Sequence, residues 1–377
     1  MTTLRVILDE MLVPTPGHVG RYTEELVREL IATAPRGCFV EAIVASSPEP
    51  DYARIAERLP GLTALHKSAL ARRELQAAWQ HGFTRLPGKG MVHATSLLAP
   101  LSRHDRLNDN DQIAVTVHDT VAWSRPDSLS PRVVSWHRAM LKRAERYADA
   151  IVVPSHAVAQ QLGEIVDLGS RVRVVSGAAS TALDVPADAE ERAERLDLPD
   201  EYVLAIGGLE PRKGIDQLVA GMSRVVRDVP LLIVGPAADD APLLAAVAAA
   251  GLDGSRVRGL GTLSDHDLAV AVDRASVFAY PNVEEGFGMP VLEAFTLGTP
   301  VVHSDAPALL ELAVDAGVVV ERGEDETGYG ERLADGINSV LTDPQLAERL
   351  AYSGSDRAKA FSWRSSAEKI WQLHADL

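Results

Sequence analysis

Residues 281–300 read PNVEEGFGMPVLEAFTLGTP, and the rest of the chain is best understood outward from them. Pro281 and Asn282 are turn formers, Glu284 and Glu285 bring two carboxylates, and Gly286 and Gly288 flank Phe287. Pro290 stands where a proline best opens a helix, since the N–H it lacks would have no helical partner there. Val291, Leu292, Ala294, Phe295 and Leu297 supply an apolar helix, which Gly298 and Pro300 end. A glycine-bearing loop feeding a helix N-terminus offers backbone N–H groups and a positive dipole end, which suits phosphate. Glu285 and Glu293 bracket that spot with seven residues between them. Carboxylates repel phosphate, so on a shared ligand they grip hydroxyls of a sugar or ribose. A nucleotide sugar combines both chemistries.

A length of 377 residues exceeds one ordinary core and implies two domains. Apolar content of 46% and charged content of 24% are those of a soluble globular protein. No apolar run is long enough for a membrane span, and Asp9 and Glu10 spoil a signal peptide. Cys38 is the single cysteine, so neither an internal disulfide nor a cysteine zinc site is available, and a cytoplasmic protein is expected. The net charge of −16 excludes general nucleic-acid binding, which needs a basic footprint. Residues 1–178 hold 21 Lys and Arg against 19 Asp and Glu, whereas residues 179–377 hold 16 against 34. That asymmetry fits two domains with different partners.

Both halves alternate short β-rich runs with helical patterns. Strands are expected at 5–8, 40–45, 91–93, 113–117, 151–153 and 172–175, with helices at 20–33, 69–80, 131–147 and 157–165. In the second half the strands are 202–206, 231–234, 257–258, 277–280, 301–303 and 318–320. The helices there are 215–227, 241–249, 265–275, 290–297 and 329–341, and the last 35 residues are helical in pattern. The reading is α/β, with two Rossmann-like doubly wound domains facing each other across a cleft. The first domain takes 1–178, an Ala-, Asp-, Glu- and Pro-rich crossing takes 179–199, and a nucleotide-sugar-binding domain takes 200–355. A terminal helical segment, 356–377, is expected to pack back toward the first domain.

Directly after the first strand of the second half comes GGLEPRKG, residues 207–214. Its glycines permit a tight turn, Pro211 stiffens it, and Arg212 and Lys213 put two cations at a strand's carboxyl end. Arg engages phosphate oxygens bidentately and Lys adds a point charge, so the pair can neutralise a departing diphosphate.

EGFGMPVLE (285–293) together with GGLEPRKG (207–214) resembles the retaining nucleotide-sugar glycosyltransferases of family 4, also called group 1, which have the GT-B fold. The similarity extends over nearly the whole chain. It implies that Glu293 holds ribose hydroxyls and Glu285 those of the transferred sugar. Backbone around Gly208 and from Phe287 through Gly288, Met289, Pro290 and Val291 to Leu292 meets the diphosphate and sugar. Arg258, after its short strand, falls at a base-pocket position. In the first half, Gly17-His18-Val19-Gly20 resembles the loop that closes on the donor phosphate. The family has adjacent glycines there, and His18 narrows the space in this chain. His118-Asp119 maps onto a His-Asp pair whose histidine contacts the transferred sugar, while Asp119 either positions the acceptor or orients local backbone. Ser155-His156 matches a position near the cleft, or simply caps the next helix. Ser176-Gly177 replaces a Pro-Asn-Gly, so no asparagine contact is expected there.

Two D-x-D triplets, Asp265-His-Asp267 and Asp109-Asn-Asp111, are assigned no metal. Ser264 with Asp267 is a helix-capping pattern and Asp109–Asp111 lies in a polar loop. No cofactor or metal is expected, with Arg212 and Lys213 in the cation's place. The resemblance implies transfer of a hexosyl group, mannosyl from GDP-mannose by preference with UDP-glucose and related donors left open, to a glycan or lipid-linked acceptor in cell-envelope polysaccharide or glycolipid synthesis. Segments 67–89 and 132–146 each hold five cations and one acid. They suit an anionic lipid-linked acceptor or peripheral contact with an anionic membrane, or else form a solvated basic face. The alternatives are an epimerase or hydrolase on the same fold, or a silent scaffold binding a partner. A silent scaffold would be expected to lose a donor contact, yet Arg212, Lys213, Glu285, Glu293 and His118 are all present.

Overall fold

The structure, a computed structural model, describes residues 2–13, 17–83, 90–323 and 328–377. The polypeptide divides into two compact units: Met1–Gly177 with Ser362–Leu377, and Ala178–Phe361. In the first, β1 (Thr2–Ile7), β2 (Cys38–Ser46), β3 (Ala64–Ala71), β4 (Met91–Ala94), β5 (Gln112–Thr116), β6 (Ala150–Val153) and β7 (Val172–Val174) form one sheet. Its order is β3-β2-β1-β4-β5-β6-β7 and every pairing is parallel. Strands such as AIVV of β6 are buried along their whole length, because helices cover both faces of a parallel sheet. Leu75 and Trp79, Met140 and Leu141, and Val158 and Leu162 come from three helices to fill one core over Ile113, Val115 and Ile151.

The second unit repeats the plan with β8 (Val203–Ile206), β9 (Leu231–Val234), β10 (Val257–Gly261), β11 (Val277–Tyr280), β12 (Val301–Ser304) and β13 (Val318–Val320). The order is β10-β9-β8-β11-β12-β13, again all parallel. In each sheet the direction of winding reverses beside the first strand, between β1 and β4 and between β8 and β11. The carboxyl ends of such strand pairs are where doubly wound sheets bind ligands.

Four local expectations are corrected. The helix expected over 69–80 begins at Arg72, because Ala64–Ala71 is an edge strand paired with β2. The helix expected over 290–297 starts one residue earlier, at Met289, with Gly288 in the left-handed region and Pro290 second. The helix expected over 215–227 stops at Gly221, where a side chain would collide with the Gly330 backbone, and a short 3-10 turn follows. Residues 179–199 are expected as the interdomain crossing. They belong to the second unit, where helix Ala189–Arg195 is tied by Arg192 to Asp267 at 2.8 Å.

Helix Trp363–Asp376 packs on helix His18–Ala32, with the Trp371 indole N–H donating to the Leu30 carbonyl at 3.1 Å. Ser366 donates to the Ser176 carbonyl at 2.6 Å. Deeper along the same helix, His374 meets the fully buried His93 of β4 edge-on, with ring centroids 5.6 Å apart. His374 Nδ1 lies 3.1 Å from the Gln112 side-chain oxygen. Burial lowers the His93 pKa to about 4 and pushes His374 well below its ordinary value, with His93 adding to the latter. Both rings are therefore neutral in the folded chain and regain an ordinary pKa of roughly 6.5 when it unfolds. The unfolded state binds more protons below that pH, so stability contributed by these rings is lost as pH falls from about 6.5 toward 4. Buried Asp9, raised to about 6 by burial, acts with the opposite sign, so the comparison must be between chains. His93→Leu is expected to give a shallower loss of urea-melt stability between pH 7 and 4.5 than the parent; parallel curves would refute the assignment.

Candidate active site

In the second unit, loop 207–214 leaves β8 and loop 281–288 leaves β11, two strands paired in the sheet. Gly214 has φ +61, and a Cβ there would lie well inside van der Waals contact with the Pro281 carbonyl. The Val283 amide donates to the Arg212 carbonyl at 2.8 Å, and the Tyr329 hydroxyl to the Pro281 carbonyl at 3.0 Å. These contacts bring Lys213 Nζ to 4.0 Å from Glu285 Oε2, both side chains being mostly buried. Among the described residues the Arg212 guanidinium has no carboxylate partner, and its Nε is buried without a hydrogen bond. Gly208 makes the turn tight enough that a Cβ would press on the Glu210 carboxylate.

Glu285 is held from several sides. The Tyr280 hydroxyl and the Asn282 side-chain amide each donate to Oε2 at 2.7 Å, and the Gly286 amide donates to Oε1 at 3.1 Å. Burial, reinforced by the Glu285 carboxylate, holds the Tyr280 phenol well above its ordinary pKa, so it remains a donor. Sequence reasoning named Asn282 only as a turn former and Tyr280 only as a strand end, although both lie within five residues of Glu285. Arg322 was missed. It follows β13, pairs with Asp305 and donates to the Val283 carbonyl, anchoring the loop from behind.

Helix Met289–Thr296 buries Glu293 to 4% exposure. Its first turn uses the Val291 and Leu292 amides on the Gly288 carbonyl, at 3.0 and 3.2 Å. Since Pro290 has no N–H, Phe287, Gly288 and Met289 are left as the amide donors for an anion. The Phe287 ring is buried edge-on to Phe361, centroids 5.7 Å apart. Arg258, expected after its strand, lies within it. It sits on the sheet-edge strand β10 and holds the Asp197 carboxylate at 2.8 Å and the Leu196 carbonyl at 3.2 Å.

In the first unit, His118 follows β5 and its Nε2–H donates to the Thr95 carbonyl at 2.7 Å. Thr95 also accepts from the Thr23 hydroxyl at 2.8 Å and donates to the Ile7 carbonyl at 3.2 Å, joining β1, β4 and helix His18–Ala32. Burial, then the neighbouring His18 ring, lowers the His118 pKa to about 4. The ring is thus neutral at pH 7 and its Nδ1 is an acceptor. Tyr22 packs edge-on against His118 at 4.7 Å and against Trp363 at 5.5 Å. Gly17 precedes the first helix with open space where a side chain would be. The Asp119 carboxylate accepts from the Val121 amide at 3.0 Å, which orients local backbone. Ser155 caps helix His156–Ile165 through the Val158 amide at 3.1 Å. Of the D-x-D triplets, Asp267 is bound by Arg192, Arg195 and Ser264, and Asp111 accepts from the Gly90 amide at 2.7 Å.

Two family models match the chain. Glycosyltransferase Family 4 matches residues 19–182, and Glycosyl transferases group 1 matches residues 187–357. An O-antigen chain mannosyltransferase B of Escherichia coli is 32% identical over 168 residues, 44% of this chain. The match spans only 43% of that relative's length. An MMP alpha-(1->4)-mannosyltransferase of Mycolicibacterium hassiacum is 27% identical over 93% of this chain and 92% of its own. Among solved structures, a sucrose-phosphate synthase from Thermosynechococcus elongatus superposes with a TM-score of 0.74 at 22% identity, covering 100% of this chain and 99% of that one.

Gly214→Ala is expected to cost about 1–3 kcal/mol in a urea melt, because it adds left-handed strain and a clash with Pro281. Gly251→Ala, at φ +65 with nothing within 4 Å, is the control that carries strain alone and should cost less. Equal losses would show that the close approach to Pro281 is unimportant.

Proposed function

Because the chain belongs to the family 4, or group 1, glycosyltransferases, we propose that it moves a hexosyl group from a nucleotide sugar to a glycan or lipid-linked acceptor with retention. The observation that carries this reading is the meeting of Arg212, Lys213 and Glu285 beside the amide-bearing start of helix Met289–Thr296. Phosphate oxygens take the two cations and the amides of Phe287 to Met289, while Glu285 and Glu293 take sugar and ribose hydroxyls. His118 Nδ1 is suited to accept a hydrogen bond from a hydroxyl of the transferred sugar.

No side chain is assigned as a covalent nucleophile. The bond from the anomeric carbon to the diphosphate breaks through an oxocarbenium-like state, and the acceptor oxygen bonds to the same face. Its proton passes to the departing diphosphate, whose charge Arg212 and Lys213 neutralise without a metal. The names of the two relatives, both mannosyltransferases, support mannosyl as the group moved, and GDP-mannose is the donor we propose for it. Among the described residues no helix is long and apolar enough to cross a membrane, which is compatible with peripheral work at the inner face.

Thermal shift with a panel of nucleotide sugars is expected to select GDP-mannose, since a ligand bound only by the folded state stabilises it. Failure of every nucleotide sugar to shift the melt would sink the reading. Lys213→Ala and Glu285→Ala should each lower turnover by roughly 100-fold or more while leaving the fold intact by circular dichroism. Full activity in both would overturn the site.

A further inference from the structure

The first unit contains a cavity of about 500 Å³ at the carboxyl ends of its strands, with His118 and Ser96 in its wall. Helix Arg72–His81 and the first two turns of helix Pro131–Tyr147 form its sides. Three guanidinium groups line it, and they differ in how they are engaged. Arg72 binds Glu10 at 2.9 Å and also the Asp9 carbonyl, and Ser96 donates to Glu10 at 2.9 Å. The Glu10 carboxylate of this wall is therefore already neutralised. Asp119, the other acid present, accepts from the Val121 amide.

Arg73 and Arg132 are different: among the described residues neither has a carboxylate or carbonyl partner, and both are exposed. They come from separate helices and line the same concavity, so their charges add there. Arg73, Gln76 and Gln80 recur at helical spacing on one face, which presents one cation followed by two amides. From the other side Ser135 adds a hydroxyl, and the Gln76, Gln80 and Ser135 side chains make no hydrogen bond to the described residues. Amides and hydroxyls in such a row match sugar hydroxyls, and paired guanidinium groups match a phosphate. The volume is that of a small-molecule site.

Resting on the glycosyltransferase reading above, we propose that this cavity holds the acceptor and that the acceptor is an anionic sugar, a saccharide bearing a phosphate. Arg73 and Arg132 clamp the phosphate, while Gln76 and Gln80 receive the sugar hydroxyls. The phosphate belongs either to a soluble sugar phosphate or to a lipid phosphate linked to the sugar. Arg85 and Lys89, the remaining cations of segment 67–89, lie outside the described residues and take no part in the proposal.

The test uses the full chain and measures binding and transfer with three probes. These are mannose 1-phosphate, neutral methyl mannoside, and vesicles carrying undecaprenyl-phosphate-linked mannose. One of the two phosphorylated probes should bind and accept sugar, and which one does so identifies the source of the phosphate. Arg73→Gln and Arg132→Gln should each weaken that binding by roughly tenfold, with a further loss at high salt. Affinity for GDP, measured in the same samples, should stay at the parent value and shows that the variants are folded. Methyl mannoside serving as well as the phosphorylated probes, no binding of either phosphorylated probe, or variants that bind like the parent would each overturn the proposal. Absence of any nucleotide-sugar binding by the parent chain would instead strike the broader reading.

Discussion

The close approach of Gly214 to the Pro281 carbonyl is the constraint on which the candidate donor site depends. Strand order makes β8 and β11 neighbours, but only a residue without a side chain lets their following loops touch. Through that contact the cations of one loop arrive beside the carboxylate of the other. Lys213 and Glu285 at 4.0 Å are of small consequence as a stabilising pair. Their value is positional. Fixed charges in a partly buried site need no reorganisation when a ligand's charge develops, which is where such groups contribute most.

A second layer of contacts fixes the orientation of what the first layer brings together. Tyr280 and Asn282 aim Glu285, and Arg322 with Asp305 braces the Val283 carbonyl from behind. The first unit uses the same device at Thr95, which joins two strands and a helix and holds His118 in a single neutral tautomer. Each network draws its groups from different elements, so each depends on the sheet being assembled before the site can exist.

Net charge is a poor guide to the local field here. The second half is strongly acidic, yet its candidate site is built round Arg212 and Lys213. Several of the half's acids are already engaged: Asp267 by Arg192 and Arg195, Asp197 by Arg258, and Asp305 by Arg322. The first half is close to neutral in sum, but Glu10 is neutralised by Arg72 and two other guanidinium groups face a cavity. What a ligand meets is the charge left over after internal pairing.

The alternation of strand and helix, the glycine-proline punctuation of 281–300 and the identity of Glu285, Glu293, Arg212 and Lys213 were legible in the amino-acid order. They are local signals of turn chemistry and periodicity. Strand β3 was not legible. ALHKSALA has no β-branched residue, and it is a strand only because β2 offers it an edge. Nor did residue order alone reveal Thr95 beneath His118, Arg322 behind Val283, or Arg73 and Arg132 around one cavity. Those neighbours are far apart in the chain, and their meeting follows from strand order. The place of Arg258 was decided the same way, since an edge strand put it against Asp197. Sequence by itself determined which chemical groups this protein owns and the local turns that carry them. Tertiary structure decided which of those groups are already paired and which remain for a ligand, because pairing across a parallel sheet is a long-range contact that no local pattern encodes.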